Sequence, residues 1–285
     1  MSESGKNRRD KAAAARDAAA AQERRRERTV RIIGAITVLV VVVGIIVVAV
    51  VARNSSSTEA APTPTADPAA AAPAGTLPSD DPFKYGVPVG TASADAPVLE
   101  IWEDFQCPAC DAVEKANGQG ILDLANSGSV QLVWRMATFL DRVNDGGDPA
   151  VANSSTRAAA AFGCAIDAGK TEEFHKTVFD NQPANEGEGF TDEQLLGFGS
   201  QIGLSGAELE TYQQCVTDGT YLAWASNSGA TFQEEGHPGT PFALLNGQEV
   251  PTETLVDQAA LQELVASVAA GGSVDSSASP APSAS

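Results

Sequence analysis

The sequence predicts a mixed α/β domain with a helical insertion, preceded by one transmembrane helix. Two apolar runs rich in β-branched residues, within residues 97–105 and 129–140, are typical of buried strands. An alanine-rich stretch at about residues 149–229 has the apolar spacing of helices, and strand signals return only after it. This order predicts one sheet whose chain is interrupted by a helical block.

The ends of the chain differ from this domain in composition. Residues 53–80 are dominated by Ala, Pro, Ser and Thr, and residues 271–285 are similar. Neither stretch carries enough apolar surface to offset the entropy lost on ordering, so we expect a disordered linker and a disordered tail. Residues 81–270 remain between them, and that length suits one domain of ordinary size.

The transmembrane helix is predicted from residues 32–52, an apolar segment without a charged residue. As a helix it would span about 30 Å, which is enough for a bilayer core. Residues 1–31 carry ten basic residues and five acids, so we expect this segment in the cytoplasm and the domain outside. A cleavable signal peptide is the alternative, but its apolar region would be shorter and no small-x-small cleavage site follows.

The exported part of the chain is strongly acidic. The whole sequence has 37 acidic and 18 basic residues and a formal net charge of −19, although its first 31 residues are basic. A strongly negative domain is repelled by phosphate backbones, so the charge argues against binding to nucleic acid. Its simplest consequence is solubility.

The strands and their flanking helices are predicted in chain order from local patterns. Residues 97–105 (PVLEIWEDF) form the first strand, and residues 111–128 continue the cysteine motif with helical apolar spacing up to a Gly stop. Residues 129–140 form the second strand. An Asn-Gly dipeptide between two short apolar runs predicts a hairpin within residues 241–250, and residues 257–270 form an amphipathic helix.

The helical block contains four predicted helices, which polar residues or glycines separate. They lie within residues 155–170, 172–182, 191–203 and 205–230. Thr191 and Ser205 begin the last two helices as N-caps, since Gln194 and Glu208 follow three residues later in the pattern of a capping box.

The motif DFQCPACD, residues 104–111, places two cysteines at the junction of a strand and a helix. Free backbone N–H groups and the helix dipole at this point favour an anion, which lowers the pKa of the Cys107 thiol. Pro108 suits the first helical turn because it has no N–H to leave unpaired. Cys110 lies one turn later and is less exposed. We therefore expect Cys107 to be the attacked sulfur and Cys110 the resolving thiol.

Two other interpretations of the cysteine pair are weaker. A zinc site needs a second pair of cysteines or suitably placed histidines, and the chain has only His175 and His237. A purely structural disulfide within Cys-x-x-Cys closes a very small loop and gains little entropy. We expect redox chemistry at this pair, with no metal and no other cofactor.

Three separated motifs resemble one family. DFQCPAC at residues 104–110, CAIDAGKTEEFHKTVFDNQ at residues 164–182 and GTPFALLNG at residues 239–247 are similar to motifs of the DsbA branch of thioredoxin-fold thiol oxidases. The resemblance covers about residues 85–268. It implies a thioredoxin fold with an inserted helical subdomain and a protein thiol:disulfide oxidoreductase activity.

The resemblance also implies roles for residues outside the cysteine motif. Pro241 matches the family's cis-proline, which packs beside the cysteine pair and belongs to the catalytic site with Pro108. Thr240 matches the residue whose backbone groups bind an extended substrate. The alternative for Pro241 is an ordinary trans proline that begins a strand.

The other two cysteines lie in the helical block and on the predicted exported side. Four cysteines in an oxidising compartment predict disulfides, but the sequence alone allows three pairings. Related membrane-anchored DsbA-like proteins have a second, structural disulfide, and the resemblance implies this role for Cys164 and Cys215. Two separate buried thiols are the alternative.

One position departs from the family pattern. The family places a buried acid six residues before the first cysteine, where this chain has Ile101. Substitution by Glu103 or Asp104 from a neighbouring position is the alternative, but we expect both acids to lie at a partly solvated strand end.

We expect His175 to pack or face water. We expect His237 to be a surface residue of a loop, and the alternative is that it borders the active site and tunes the thiolate, since it lies four residues before Pro241.

These observations predict a membrane-tethered thiol oxidase of the cell envelope that introduces disulfide bonds into exported proteins. Reduced exported proteins would be its substrates, and the family resemblance implies a membrane quinone reductase of the DsbB or vitamin K epoxide reductase type as its reoxidant. The alternatives are a disulfide reductase or isomerase of the same fold, and a non-enzymatic binding module with a structural disulfide. The sequence leaves the redox potential and the oligomeric state open.

Overall fold

The computed structural model describes residues 64–144, 148–185 and 187–274. The predicted cytoplasmic segment, the transmembrane helix, the first part of the linker and most of the tail lie outside the described residues. Within the described ranges, no helix combines the length and the apolar character needed to cross a bilayer.

Five strands form one mixed sheet at the centre of the domain. They are β1 (Val87–Val89), β2 (Val98–Glu103), β3 (Gln131–Met136), β4 (Phe242–Leu245) and β5 (Gln248–Val250). Their order is β1-β3-β2-β4-β5. β2 pairs with β3 in parallel, and the other three pairs are antiparallel. The continuous apolar runs of the sequence become β2 and β3, which are buried along nearly their whole length.

Helices cover the sheet and form the insertion between β3 and β4. They are α1 (Pro108–Asn126), α2 (Asp141–Asn144), α3 (Ser154–Asp167), α4 (Thr171–Asp180), α5 (Asp192–Gln201), α6 (Gly206–Asp218), α7 (Leu222–Glu235), α8 (Thr252–Leu255) and α9 (Gln258–Ala269), with a 3-10 turn at Pro149–Val151. α1 packs against β1, β3 and α9, whereas α7 packs against β3 and α3. The predicted mixed α/β fold with a helical insertion is confirmed.

Local signals explain which element boundaries the sequence predicted correctly. Thr191 forms the expected capping box with Gln194, whereas the Ser205 side chain makes no cap hydrogen bond. The last predicted helix of the block is two helices, because Gly219 has a φ of 63° and ends α6 in the left-handed region. The predicted hairpin is confirmed at β4–β5. β1, with three residues, was not predicted.

The described part of the predicted disordered linker, residues 64–80, packs on the helical insertion. The Asp67 carbonyl accepts a hydrogen bond from Asn227 Nδ2 at 2.7 Å, and the backbone N–H of Ala74 donates to Asp167 Oδ1 at 2.8 Å. The expectation of disorder up to residue 80 is therefore wrong for this part. Its backbone groups find partners on α3 and α7, and composition alone does not reveal such pairing.

Candidate active site

The cysteine pair lies at the junction between the end of β2 and the start of α1. Cys107 is the N-cap of α1, with extended backbone angles of φ −78° and ψ 117°, and Pro108 occupies the first turn. The backbone N–H of Cys107 donates to the Asp104 carbonyl at 2.8 Å, which closes the turn between strand and helix. This places the Cys107 sulfur beside the free N–H groups of the first helical turn, as the sequence predicted.

The two thiols are free and have opposite electrostatic environments. The pKa of Cys107 is lowered to about 6, chiefly by the Cys110 thiol and then by hydrogen bonding to Thr240 and to the backbone N–H groups of Cys110 and Ala109, which together outweigh the cost of burial. The pKa of Cys110 is raised well above its usual range, first by burial and then by its hydrogen bond to Cys107. At neutral pH Cys107 is the thiolate of the pair.

A cis peptide bond joins Thr240 to Pro241 directly beside this thiolate position. The Cys107 sulfur lies 3.3 Å from the Thr240 carbonyl oxygen, and β4 begins just after Pro241. This loop also covers Cys107, of which only 7% is exposed, compared with 0% for Cys110. The expected order of exposure is correct, and the cis-proline loop buries most of the Cys107 side chain.

Asp104 is a fully buried hydrogen-bond acceptor and not a solvated strand end as expected. Its carboxylate accepts hydrogen bonds from the backbone N–H groups of Gln106 and Leu140, both at 3.0 Å, and from Ser155 Oγ at 2.6 Å. Burial nevertheless raises the pKa of Asp104 to about 7. The side chain ties the turn before Cys107 to the start of the helical insertion.

Glu103 is the second buried acid and lies against α1 and α4. Its Oε2 atom is 2.8 Å from His175 Nε2, and His175 Nδ1 is 3.7 Å from Glu114 Oε2. Burial raises the pKa values of Glu103 and Glu114 to about 8, and lowers that of His175 to about 4. Ile101, at the family's acid position, is packed in the apolar core. The expectation of a partly solvated Glu103 is wrong because helices close over the strand end.

Glu103, Glu114 and His175 are also the described residues that could supply metal ligands, since one ligand atom of each lies within 4.8 Å of the others. Carboxylate oxygen and imidazole nitrogen are ordinary ligands for divalent metals. In this structure His175 Nε2 hydrogen-bonds the Glu103 carboxyl group, whereas His175 Nδ1 lies 3.7 Å from Glu114, which is beyond hydrogen-bond distance. The geometry is that of a hydrogen-bonded cluster.

A thioredoxin family model matches residues 85–266, which include the cysteine pair, the cis-proline loop and the helical insertion. The chain belongs to the thioredoxin family. Among curated proteins, none matches this chain significantly.

Solved structures of thiol-disulfide oxidoreductases and related proteins are similar to this chain. MdbA, a thiol-disulfide oxidoreductase from Actinomyces oris, is 22% identical, with a TM-score of 0.53 over 64% of this chain and 87% of that one. Oxidised BdbD from Bacillus subtilis is 18% identical, with a TM-score of 0.54 over 71% of this chain and 98% of that one. Oxidised DsbA from Mycobacterium tuberculosis is 26% identical, with a TM-score of 0.48 over 66% of this chain and 100% of that one.

Gln182 is a contact of this thioredoxin-family site that sequence reasoning missed. Its side-chain amide donates to the Phe105 carbonyl at 2.8 Å and to the Cys107 carbonyl at 3.1 Å. The residue follows α4, so it links the helical insertion to the turn that presents the nucleophile. Gln182 is the last residue of the family-like motif at residues 164–182, and this position was the only sequence signal for its role.

The second pair of cysteines forms a disulfide inside the helical insertion of this thioredoxin-family domain. Cys164 on α3 and Cys215 on α6 have an S–S distance of 2.03 Å and are 51 residues apart. Cys164 is buried and part of the main apolar core, so the bond joins two helices that also pack together. It joins elements other than α1, where the Cys107–Cys110 pair lies.

His237 belongs to a partly buried network beside the cis-proline loop. Its side chain is only 12% exposed, stacks on Phe242 with ring centroids 4.4 Å apart, and hydrogen-bonds Glu235 at 2.8 Å. Glu235 pairs in turn with the buried Arg135, whose guanidinium lies over Trp102. The expectation that His237 is a surface residue is wrong, because β4 and α7 enclose its ring.

Proposed function

We propose that this chain is a DsbA-like protein thiol:disulfide oxidoreductase that introduces disulfide bonds into exported proteins through Cys107-Pro108-Ala109-Cys110. The observation that carries the proposal is the asymmetry of the two sulfurs. Cys107 lies at the start of α1 with a lowered pKa and contacts the cis-proline loop, whereas Cys110 is buried with a raised pKa. A structural disulfide needs no such asymmetry.

The reaction begins with the oxidised Cys107–Cys110 pair. A substrate thiolate attacks Cys107 Sγ, the Cys107–Cys110 bond breaks, and Cys110 leaves with the electron pair. A second substrate thiolate then attacks the substrate sulfur of the mixed disulfide, and Cys107 leaves as a thiolate. The substrate is oxidised by two electrons and the enzyme is reduced. A leaving thiol of low pKa departs faster, which favours the oxidising direction.

Substrate binding is proposed for the loop of Thr240 and Pro241. The Thr240 carbonyl faces the Cys107 sulfur at 3.3 Å, so an extended peptide that pairs with this backbone would bring its own sulfur to Cys107. We therefore expect this loop to bind a peptide segment that is extended and contains a cysteine.

Trapping of the mixed disulfide tests the reaction. Cys110→Ala removes the resolving thiol, so exported proteins should accumulate as mixed disulfides on Cys107, detected as reductant-sensitive bands and identified by peptide mapping. Cys107→Ala should abolish both oxidation and trapping. The proposal fails if Cys110→Ala traps nothing while Cys107→Ala retains full activity, and a non-enzymatic binding module would then explain the chain better.

The direction of exchange is tested by the equilibrium potential of the cysteine pair against glutathione. An oxidase should have a potential near that of the most oxidising family members, about −120 mV, because a stabilised Cys107 thiolate favours the reduced enzyme. A potential near about −270 mV would instead favour a reductase.

Membrane anchoring through residues 32–52 is proposed from the sequence, with residues 1–31 in the cytoplasm. The reduced enzyme would then be reoxidised by a membrane quinone reductase of the DsbB or vitamin K epoxide reductase type. Protease added to intact cells should release the folded domain. Protection of the domain in intact cells, with cleavage after lysis, would place it inside and contradict this arrangement.

A further inference from the structure

Residues 236–241 form the loop that connects α7 to β4 and contains the cis-proline. A Cβ atom added at Gly236 or Gly239 would meet no heavy atom of the described residues within 4 Å, apart from its chain neighbours. Glycine is the most permissive residue for backbone rotation, and packing does not restrict the loop at these two positions. The conformation of the loop therefore depends on the contacts of its other side chains.

His237 contacts both ends of this loop. Its Nε2 atom lies 2.8 Å from Glu235 Oε2 at the end of α7, and its ring stacks on Phe242 at the start of β4, with ring centroids 4.4 Å apart. A carboxylate oxygen can only accept a hydrogen bond, so His237 Nε2 carries the hydrogen and donates it. The side chain therefore links the last residue before the loop to the first residue after it.

The hydrogen bond to Glu235 connects the loop to an ionic cluster centred on the buried Arg135. The Arg135 side chain is 1% exposed and donates to Glu235 through both terminal nitrogens, at 3.0 and 3.2 Å. It also pairs with Glu100 on β2 and lies 3.8 Å from the centre of the Trp102 ring. A bidentate pair between guanidinium and carboxylate has a fixed geometry, so Glu235 is a well-oriented acceptor for His237.

Strand register places this ionic cluster beside the active-site turn. Trp102, near the end of β2, is paired with Arg135 on one side and with Phe242 on the other. At the far end of the loop, the Thr240 carbonyl oxygen lies 3.3 Å from the Cys107 sulfur. A loop that is held to the sheet in this way keeps its backbone in place beside the sulfur.

We propose that His237 is a positioning residue for substrate binding, because its hydrogen bond to Glu235 holds the cis-proline loop in the conformation that pairs with an extended peptide. This inference rests on the oxidoreductase activity and the binding loop proposed above. A loop that is ordered before binding loses less conformational entropy when a peptide pairs with its backbone. Because His237 acts through the loop, it affects the reaction with peptides and not the reaction with small thiols.

The experiment compares two reductants of the same disulfide. Oxidised full-length protein is mixed at pH 7 with dithiothreitol or with a reduced, unstructured peptide that contains two cysteines. Either reductant is oxidised to a disulfide while the Cys107–Cys110 bond is reduced to two thiols, so the electrons balance without another reactant. The second-order rate constants are measured by acid quenching and chromatography of the oxidised and reduced protein. Of the two reductants, only the peptide can pair with the Thr240 backbone.

Two variants separate the hydrogen bond from the ring stack. His237→Phe keeps a ring against Phe242 and loses the N–H donor, whereas His237→Gln keeps an N–H donor near the Nε2 position and loses the ring. His237→Phe should lower the rate constant for the peptide by about tenfold, the factor expected for one hydrogen bond to a charged group, and change that for dithiothreitol by less than about twofold. His237→Gln should keep the rate constant for the peptide within about threefold of wild type.

Gln233→Ala, at an exposed position of α7, is the control and should change neither rate constant. A wild-type rate constant for the peptide in a folded His237→Phe variant would overturn the proposal. An equal loss with both reductants would also overturn it, because His237 would then act on the cysteine pair itself.

If His237→Phe does not fold, His237→Ala is compared with His237→Gln, and equal rate constants for the peptide in these two variants would contradict the role of the hydrogen bond. Failure of the wild-type protein to oxidise the peptide would instead contradict the proposed function.

Discussion

The Cys110 thiol should set the acidity of Cys107. It is the largest cause of the lowered Cys107 pKa, which is about 6. A hydrogen bond to a charged group contributes about 1.5–3 kcal/mol, and one pKa unit corresponds to about 1.4 kcal/mol. Cys110→Ala should therefore raise the pKa of Cys107 by about one to two units. At pH 7 the thiolate fraction would fall from about nine-tenths to about half or less.

Cys110→Ser is the matched variant, because its hydroxyl can still donate a hydrogen bond to the Cys107 sulfur. The pKa is measured from the rate of iodoacetamide alkylation against pH. With Cys164 and Cys215 joined in a disulfide, Cys107 is the one thiol left in either variant. We expect the serine variant to titrate close to the wild-type value and the alanine variant clearly above it. Equal values for both variants would refute the assignment of the Cys110 thiol as the donor.

Three further predictions follow from other contacts. Gln182→Ala should remove both hydrogen bonds to the active-site turn and lower the free energy of unfolding in urea by about 1–2 kcal/mol. Gln262→Ala, at an exposed position of α9, is the control and should leave this free energy unchanged. Replacing both Cys164 and Cys215 with Ala should lower the free energy of unfolding by about 4 kcal/mol, and peptide mapping after mild reduction should find this disulfide intact while the active-site pair is open. Burial raises the pKa of Glu103 from 4.5 to about 8, so between these pH values the unfolded state loses the proton and the folded state keeps it. The free energy of unfolding therefore falls as pH rises through this range. Glu103→Gln should remove this loss and stabilise the reduced protein by roughly 3 kcal/mol at pH 7, whereas thermal unfolding at acidic pH should show little difference.

The sequence by itself determined the elements that depend on neighbouring residues. Apolar β-branched runs became β2 and β3, and the Asn-Gly dipeptide made the hairpin, with φ of 50° at Asn246 and 77° at Gly247. The Cys107-Pro108 pair placed the nucleophile at a helix start, because a strand followed by a proline-initiated helix leaves free N–H groups there. These features are short in range, so a pattern of a few residues specifies them.

Only the tertiary structure decided the environment of the acids beside the cysteine pair. Glu103 meets His175, which is 72 residues away, and Asp104 meets Ser155, which is 51 residues away. A strand end that would be solvated in isolation is closed by α1 and α4, and burial then raises the pKa values of its carboxyl groups. Whether a carboxylate meets water or a partner depends on how helices distant in sequence pack, and no local pattern carries that information.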